Sequence, residues 1–135
     1  MNLRKFSKLL YQLKLANQEM TTKFEKETGF SITRYELMLF LKENGQCSQT
    51  NLQNELKIDS AAVTRHLKIL EEKNYVIRER NKNNNREVVV RITEKATKEL
   101  EHCEREFSHP NKTMMSPLNE EEENTLLNLL TKLVK

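Results

Sequence analysis

Phe6, Leu9, Leu10, Leu13, Ala16, Met20 and Phe24 recur mostly at spacings of three and four, which lays an apolar stripe on one face of a helix over about residues 3–27. Gly29 ends that segment, and "FSI" connects it to the next. Thr33 and Glu36 have the spacing of a capping box, and "YELMLFLKENG" behind them is apolar nearly all round from Leu37 to Leu41. That predicts a short buried helix, with Gly45 as its C′ residue. Ser48 is a cap candidate for a further short helix carrying Leu52 and Leu56. "KID" then makes a tight connection to a helix capped by Ser60 or Asp59. Val63, Leu67 and Leu70 form its inward face, and Ser60, Thr64, Arg65 and Lys68 its outward face.

From Val76 the period falls to two. Val76 and Ile77 begin one strand, and Val88, Val90 and Ile92 alternate with Glu87, Val89 and Arg91 on its partner. "NKNNN", residues 81–85, is the tip between them; asparagine tolerates left-handed backbone. Thr93 caps a helix striped by Ala96, Leu100, Cys103 and Phe107, and Pro110 ends it. "NKTMMSP" is a loop. Asn119 and Glu122 resemble a cap for the last helix, striped by Leu126, Leu129, Leu130 and Leu133. The acidic run Glu120 to Glu123 sits in its first turn, where the helix dipole favours it without any partner.

The predicted fold is therefore mainly α. It is a winged helix-turn-helix with a two-stranded β wing and terminal dimerisation helices, because two short helices joined by three or four residues make a helix-turn-helix. Residues 33–97 form the winged lobe, and residues 1–32 and 98–135 form the helical dimerisation region of one structural domain. The terminal stripes are too long to be covered by so small a lobe, so a homodimer is expected.

Composition adds little to this. Only two glycines and two prolines interrupt 135 residues, which favours long helices. The net charge of +3 is unevenly spread. Residues 57–95 hold ten basic and six acidic groups, net +4, whereas residues 98–135 are net −3. A basic surface is the usual footprint of nucleic-acid binding. The apolar run near the amino end is interrupted by Lys8 and Lys14, no window has the length of a membrane span, and the two cysteines, Cys47 and Cys103, form no disulfide framework. A cytoplasmic protein that is not an enzyme and needs no cofactor is expected, since no catalytic constellation, phosphate-cradling glycine loop or nucleophile elbow is present.

The helix-turn-helix followed at once by a basic hairpin points to double-stranded DNA. The second helix fits a major groove and the hairpin reaches the neighbouring minor groove. Thr64 and Arg65 are the candidates for base edges, with Ser60 and Lys68 beside them. Arg86 and Lys82 suit the minor groove, and Arg78 and Arg80 suit phosphates. The competing reading is a winged-helix module that docks a partner protein; weak retention on heparin would favour it.

The run "IDSAAVTRHLKILEEKNYVIRERNKNNNREVVVRITEKA" resembles the recognition helix and wing of MarR-type transcriptional regulators. "ITRYELMLFLKENG" and "LNEEEENTLLNLLTKLVK" resemble that family's second and last helices, so nearly the whole chain is covered. The resemblance implies a homodimer that binds palindromic operators, acts as a repressor, and is released by a small-molecule effector, by oxidation or by a metal. It also implies that Thr64 and Arg65 reach the major groove and that Arg86 is the wing arginine. The wing departs from the family pattern at Asn84, where an aspartate is usual, and at Asn85, where an arginine is.

The regulatory signal is less legible. Peroxide-sensing members carry a cysteine in the first helix; Leu10 stands there in this chain. Cys103 belongs to an apolar stripe, which leaves Cys47, near a helix start, as the redox candidate. His102 and Cys103 are adjacent and point about 100° apart on a helix, and His109 lies roughly two turns from His102, so no metal site is expected, and His66 is expected to face DNA or water. Tyr11, Leu15 and Tyr35 are candidates for lining an effector pocket, or for core.

Overall fold

The computed structural model describes residues 2–108 and 116–134, and for Asn84 and Asn85 the backbone alone. The chain runs α1 (Leu3–Thr28), α2 (Ile32–Asn44), β1 (Cys47–Ser48), α3 (Gln49–Leu56), α4 (Ser60–Glu72), β2 (Val76–Asn81), β3 (Asn84–Ile92), α5 (Glu94–Ser108) and α6 (Glu120–Leu133). This is the expected order of helices around a hairpin. The predicted roles of His109, Pro110 and most of the "NKTMMSP" loop lie outside the described residues.

Local chemistry sets the boundaries. Gly29 closes α1 in left-handed backbone, φ 79°, and donates its N–H to Glu25. The start of α2 differs from the Thr33–Glu36 reading. Ser31 is the N-cap and its hydroxyl accepts from the Arg34 N–H. The Phe30 ring, one residue before the cap, packs on Tyr35 with centroids 5.5 Å apart. Such a staple fixes where the chain enters the helix, and it begins earlier than Thr33 allows. Ser48 caps α3, Asp59 rather than Ser60 caps α4, Thr93 caps α5, and Asn119 with Glu122 completes a capping box on α6.

The wing belongs to a three-stranded antiparallel sheet, ordered β1-β3-β2. The third strand, absent from the sequence reading, is the pair Cys47 and Ser48 against Val90 and Val89. The tip is shorter than "NKNNN". Asn81 pairs with Asn84 across a bulge, so Lys82 and Asn83 alone connect the strands. The Asn81 side chain accepts from the Asn83 N–H at 2.9 Å and holds the turn.

Leu37, Met38 and Leu41 of α2, Leu52 of α3, Val63, Leu67 and Leu70 of α4, Val76, Val90, and Ala96 and Leu100 of α5 form one buried core. Neither α1 nor α6 contributes a buried residue. The core therefore holds α4 rigidly beneath its exposed face, while the two terminal helices keep apolar surface open.

Gly45 makes the turn from α2 into β1 at φ 76° and ψ −168°, a region that glycine alone occupies readily. A Cβ there would meet nothing within 4 Å, so the penalty is purely one of backbone conformation. Gly45→Ala is expected to lower stability by about 1–3 kcal/mol. Urea unfolding checks it; an unchanged midpoint would mean that the turn relaxes.

Candidate nucleic-acid interface

Burial sorts α4 into two faces. Val63 and Leu67 are fully buried, whereas Ser60, Thr64, Arg65 and Lys68 are exposed. All four predicted residues of this helix thus share its outer side. Asp59 starts the helix by accepting from the Ala62 N–H at 2.8 Å. Lys57 ends α3 in left-handed backbone, φ 55°, so that "KID" reverses the chain within three residues.

Both flanks of α4 are tied to neighbouring helices. On one side, Gln49 Nε2 of α3 donates to Thr64 Oγ1 at 2.9 Å. On the other, Arg34 Nη1 of α2 lies 3.3 Å from His66 Nδ1. Neither Gln49 nor Arg34 stands out in the sequence. Helical periodicity leaves His66 facing DNA or water, and the structure instead half-buries the ring beside Arg34. An arginine can only donate, so Nδ1 must be an acceptor and the imidazole neutral, with its proton on Nε2. Burial lowers the His66 pKa, and the Arg34 and Arg65 charges lower it further.

A depressed histidine contributes stability above its ordinary value of 6.5, and that contribution is lost as pH falls through the folded-state value. His66→Gln retains an acceptor without the titration. The stability gap between wild type and His66→Gln is expected to shift against the wild type between about pH 7.5 and 5.5. Urea unfolding at both pH values tests this, and a constant gap would rule it out.

The predicted wing residues separate. Lys82 is exposed at the tip, and Arg80 and Arg86 are exposed on the strands. Arg78 is half-buried. Its guanidinium donates to Glu71 Oε1 at 2.9 Å, tying β2 to the end of α4, and holds that carboxyl below its usual range. Strand parity explains this, since Arg78 is two residues from buried Val76 and faces buried Val90 across the ladder.

Cys47 is half-buried in β1. Burial pushes its thiol pKa up, against a smaller opposing effect of an Asn51 hydrogen bond. The reactive thiolate is therefore disfavoured. Cys103 is buried, as its stripe predicted. Among the described residues no cluster of three metal-ligating side chains occurs.

A cavity of about 610 Å³ opens between the end of α1 and α5. Phe30, Tyr75 and Phe107 line it together with Glu27, Glu99 and His102. Tyr75 donates its hydroxyl to Glu99 at 2.5 Å, which pushes the phenol pKa up to about 12. Of Tyr11, Leu15 and Tyr35, which the sequence leaves open between pocket and core, none lines this cavity, and Tyr35 packs against the core. Tyr11 is largely exposed on α1, and the Tyr35 ring packs between Phe24 and Phe30.

Comparison with known proteins agrees with this architecture. The MarR family model matches residues 30–88. An uncharacterised HTH-type transcriptional regulator of Bacillus subtilis (strain 168), YdgJ, is 39% identical over 94% of this chain and 77% of its own length. Among solved structures, a cysteine-to-serine mutant of E. coli MarR complexed with operator DNA has a TM-score of 0.83 at 21% identity, covering 100% of this chain and 99% of that one. The transcriptional repressor CouR bound to a 23-mer DNA duplex also has a TM-score of 0.83, at 19% identity and the same coverage. Among the described residues no helix is long and apolar enough to cross a membrane. The chain is a transcriptional regulator of the MarR family.

Proposed function

We propose that this protein is a cytoplasmic homodimeric repressor that grips a pseudo-palindromic operator, with residues 33–97 as the DNA-binding lobe and residues 1–32 and 98–135 as the dimerisation region. The observation that carries the reading is the two-faced α4. Its inner side is locked in the core, and its outer side exposes Ser60, Thr64, Arg65 and Lys68. Arg65 is suited to paired contacts with guanine O6 and N7, and Lys68 to phosphate. Lys82 and Arg86, exposed on the wing, extend the basic surface toward an adjoining minor groove, and Arg80 lies beside them. Arg78 acts through Glu71 as a tie between wing and helix. Two solved structures of the same fold are bound to DNA, which supports DNA as the partner.

Release by a small-molecule effector is consistent with the cavity between α1 and α5, which is open and partly aromatic. It adjoins Tyr75, directly before β2, so an occupant would press on the base of the wing.

The test is fluorescence-anisotropy titration against the DNA upstream of the chain's own gene and against a scrambled duplex, at two salt concentrations. Selective binding that weakens steeply with salt is expected, because neutralising phosphates releases counterions. Arg65→Ala should cost about 1–3 kcal/mol on the selected sequence and relax its base preference. Equal weakening on every sequence would make Arg65 a phosphate contact instead.

A further inference from the structure

The Thr64 hydroxyl is already engaged twice within the protein. Oγ1 donates to the Ser60 carbonyl at 3.0 Å and accepts from Gln49 Nε2 at 2.9 Å. A hydroxyl carries one proton and two lone pairs. What remains for a ligand is one lone pair and the γ-methyl. The same commitment orients the amide. With the Thr64 proton turned to Ser60, Gln49 must present Nε2, because its Oε1 would place two oxygens together with no proton between them. Gln49 is also held from behind. It is the first residue of α3, follows the Ser48 cap, and adjoins the pairing of β1 with β3.

We propose that Gln49 is a specificity-determining residue acting from the neighbouring helix: it fixes Thr64 as an acceptor-and-methyl surface, so that guanine is disfavoured at the base facing Thr64. In the major groove guanine offers only the acceptors N7 and O6, whereas adenine and cytosine offer an amino donor and thymine a methyl group. This inference rests on the reading of α4 as the DNA-facing helix.

The experiment is selection by the full-length protein from duplexes randomised over one half-site. Wild type is compared with Gln49→Ala, Gln49→Met and Thr64→Val. Once the amide N–H is gone, only the Ser60 carbonyl engages the Thr64 hydroxyl, and its proton can be redirected toward a base acceptor. Guanine is expected to rise about 2- to 10-fold at one position, the change equivalent to a single hydrogen bond. The affected position is the one at which Thr64→Val alters preference. Adding Gln49→Ala to Thr64→Val has no further effect there. Gln49→Met keeps the packing but lacks the N–H, and behaves like Gln49→Ala. If wild type enriches a half-site and Gln49→Ala enriches it with unchanged base frequencies, or Gln49→Met restores the wild-type preference, the inference is overturned alone. If wild type enriches no sequence, the DNA reading falls with it.

Discussion

Replacing Leu67 by Ala is expected to lower the stability of the protein by about 2–5 kcal/mol, the range for large-to-small changes at sites that cannot collapse. Leu67 is fully buried, on the inner face of α4, in a core built with α2, α3, the hairpin and α5. Each neighbouring element is anchored elsewhere, so none can close on the void. α3 is fixed by its Ser48 cap and β1 by its pairing with β3. α5 is fixed by Thr93, whose hydroxyl donates to the Asn74 carbonyl at 2.8 Å and accepts from the Ala96 N–H. A loss of this size is a large part of the roughly 5–15 kcal/mol that holds a typical domain together. Urea unfolding followed by circular dichroism measures it. A loss under about 1 kcal/mol would show that the core around α4 is more plastic than its burial indicates. Lys68→Ala is the companion change one residue along. It removes an exposed side chain, is expected to stay within about 0.5 kcal/mol in stability, and should weaken DNA binding instead.

The contrast between Leu67 and Lys68 is legible in the sequence because a period of 3.6 assigns each position of a helix to a face. The same logic finds the α5 stripe, including buried Cys103. It fails where the determining contact lies far along the chain. β1 is two residues long, too short for any alternation, and exists only because β3 offers Val89 and Val90 to it. Gln49 and Arg34 look like ordinary surface residues because their partners, Thr64 and His66, are 15 and 32 positions away. Arg78 is a different case. Its parity with Val76 is visible in the sequence, but its pairing with Glu71 on another element is not. The start of α2 is read too late because Thr33 and Glu36 match a capping box, while the contact that favours Ser31 is Phe30 packing on Tyr35.

Placing a charge on the terminal helices is expected to separate the proposed dimer and remove most operator affinity. Leu9, Leu10 and Leu15 on α1, and Leu126, Leu129 and Leu133 on α6, are each at least two-fifths exposed in the single chain. α1 has 26 residues and extends about 39 Å, longer than a lobe this size can cover. Uncovered leucines in that number mark an association surface rather than scattered surface residues. In the double variant Leu10→Glu, Leu129→Glu, two carboxylates would enter that surface. They disturb the protomer little, since neither leucine belongs to its core. The molar mass in solution is expected to fall to the 16.0 kDa of one chain, with the helical signal of the lobe retained. Operator affinity then drops by about 10²–10⁴, because the second half-site is no longer engaged at high effective concentration. Light scattering coupled to gel filtration reads the first effect and anisotropy the second. A double variant that stays dimeric would move the interface elsewhere on the chain. One that becomes monomeric yet binds a full palindrome undiminished would show that each lobe acts alone.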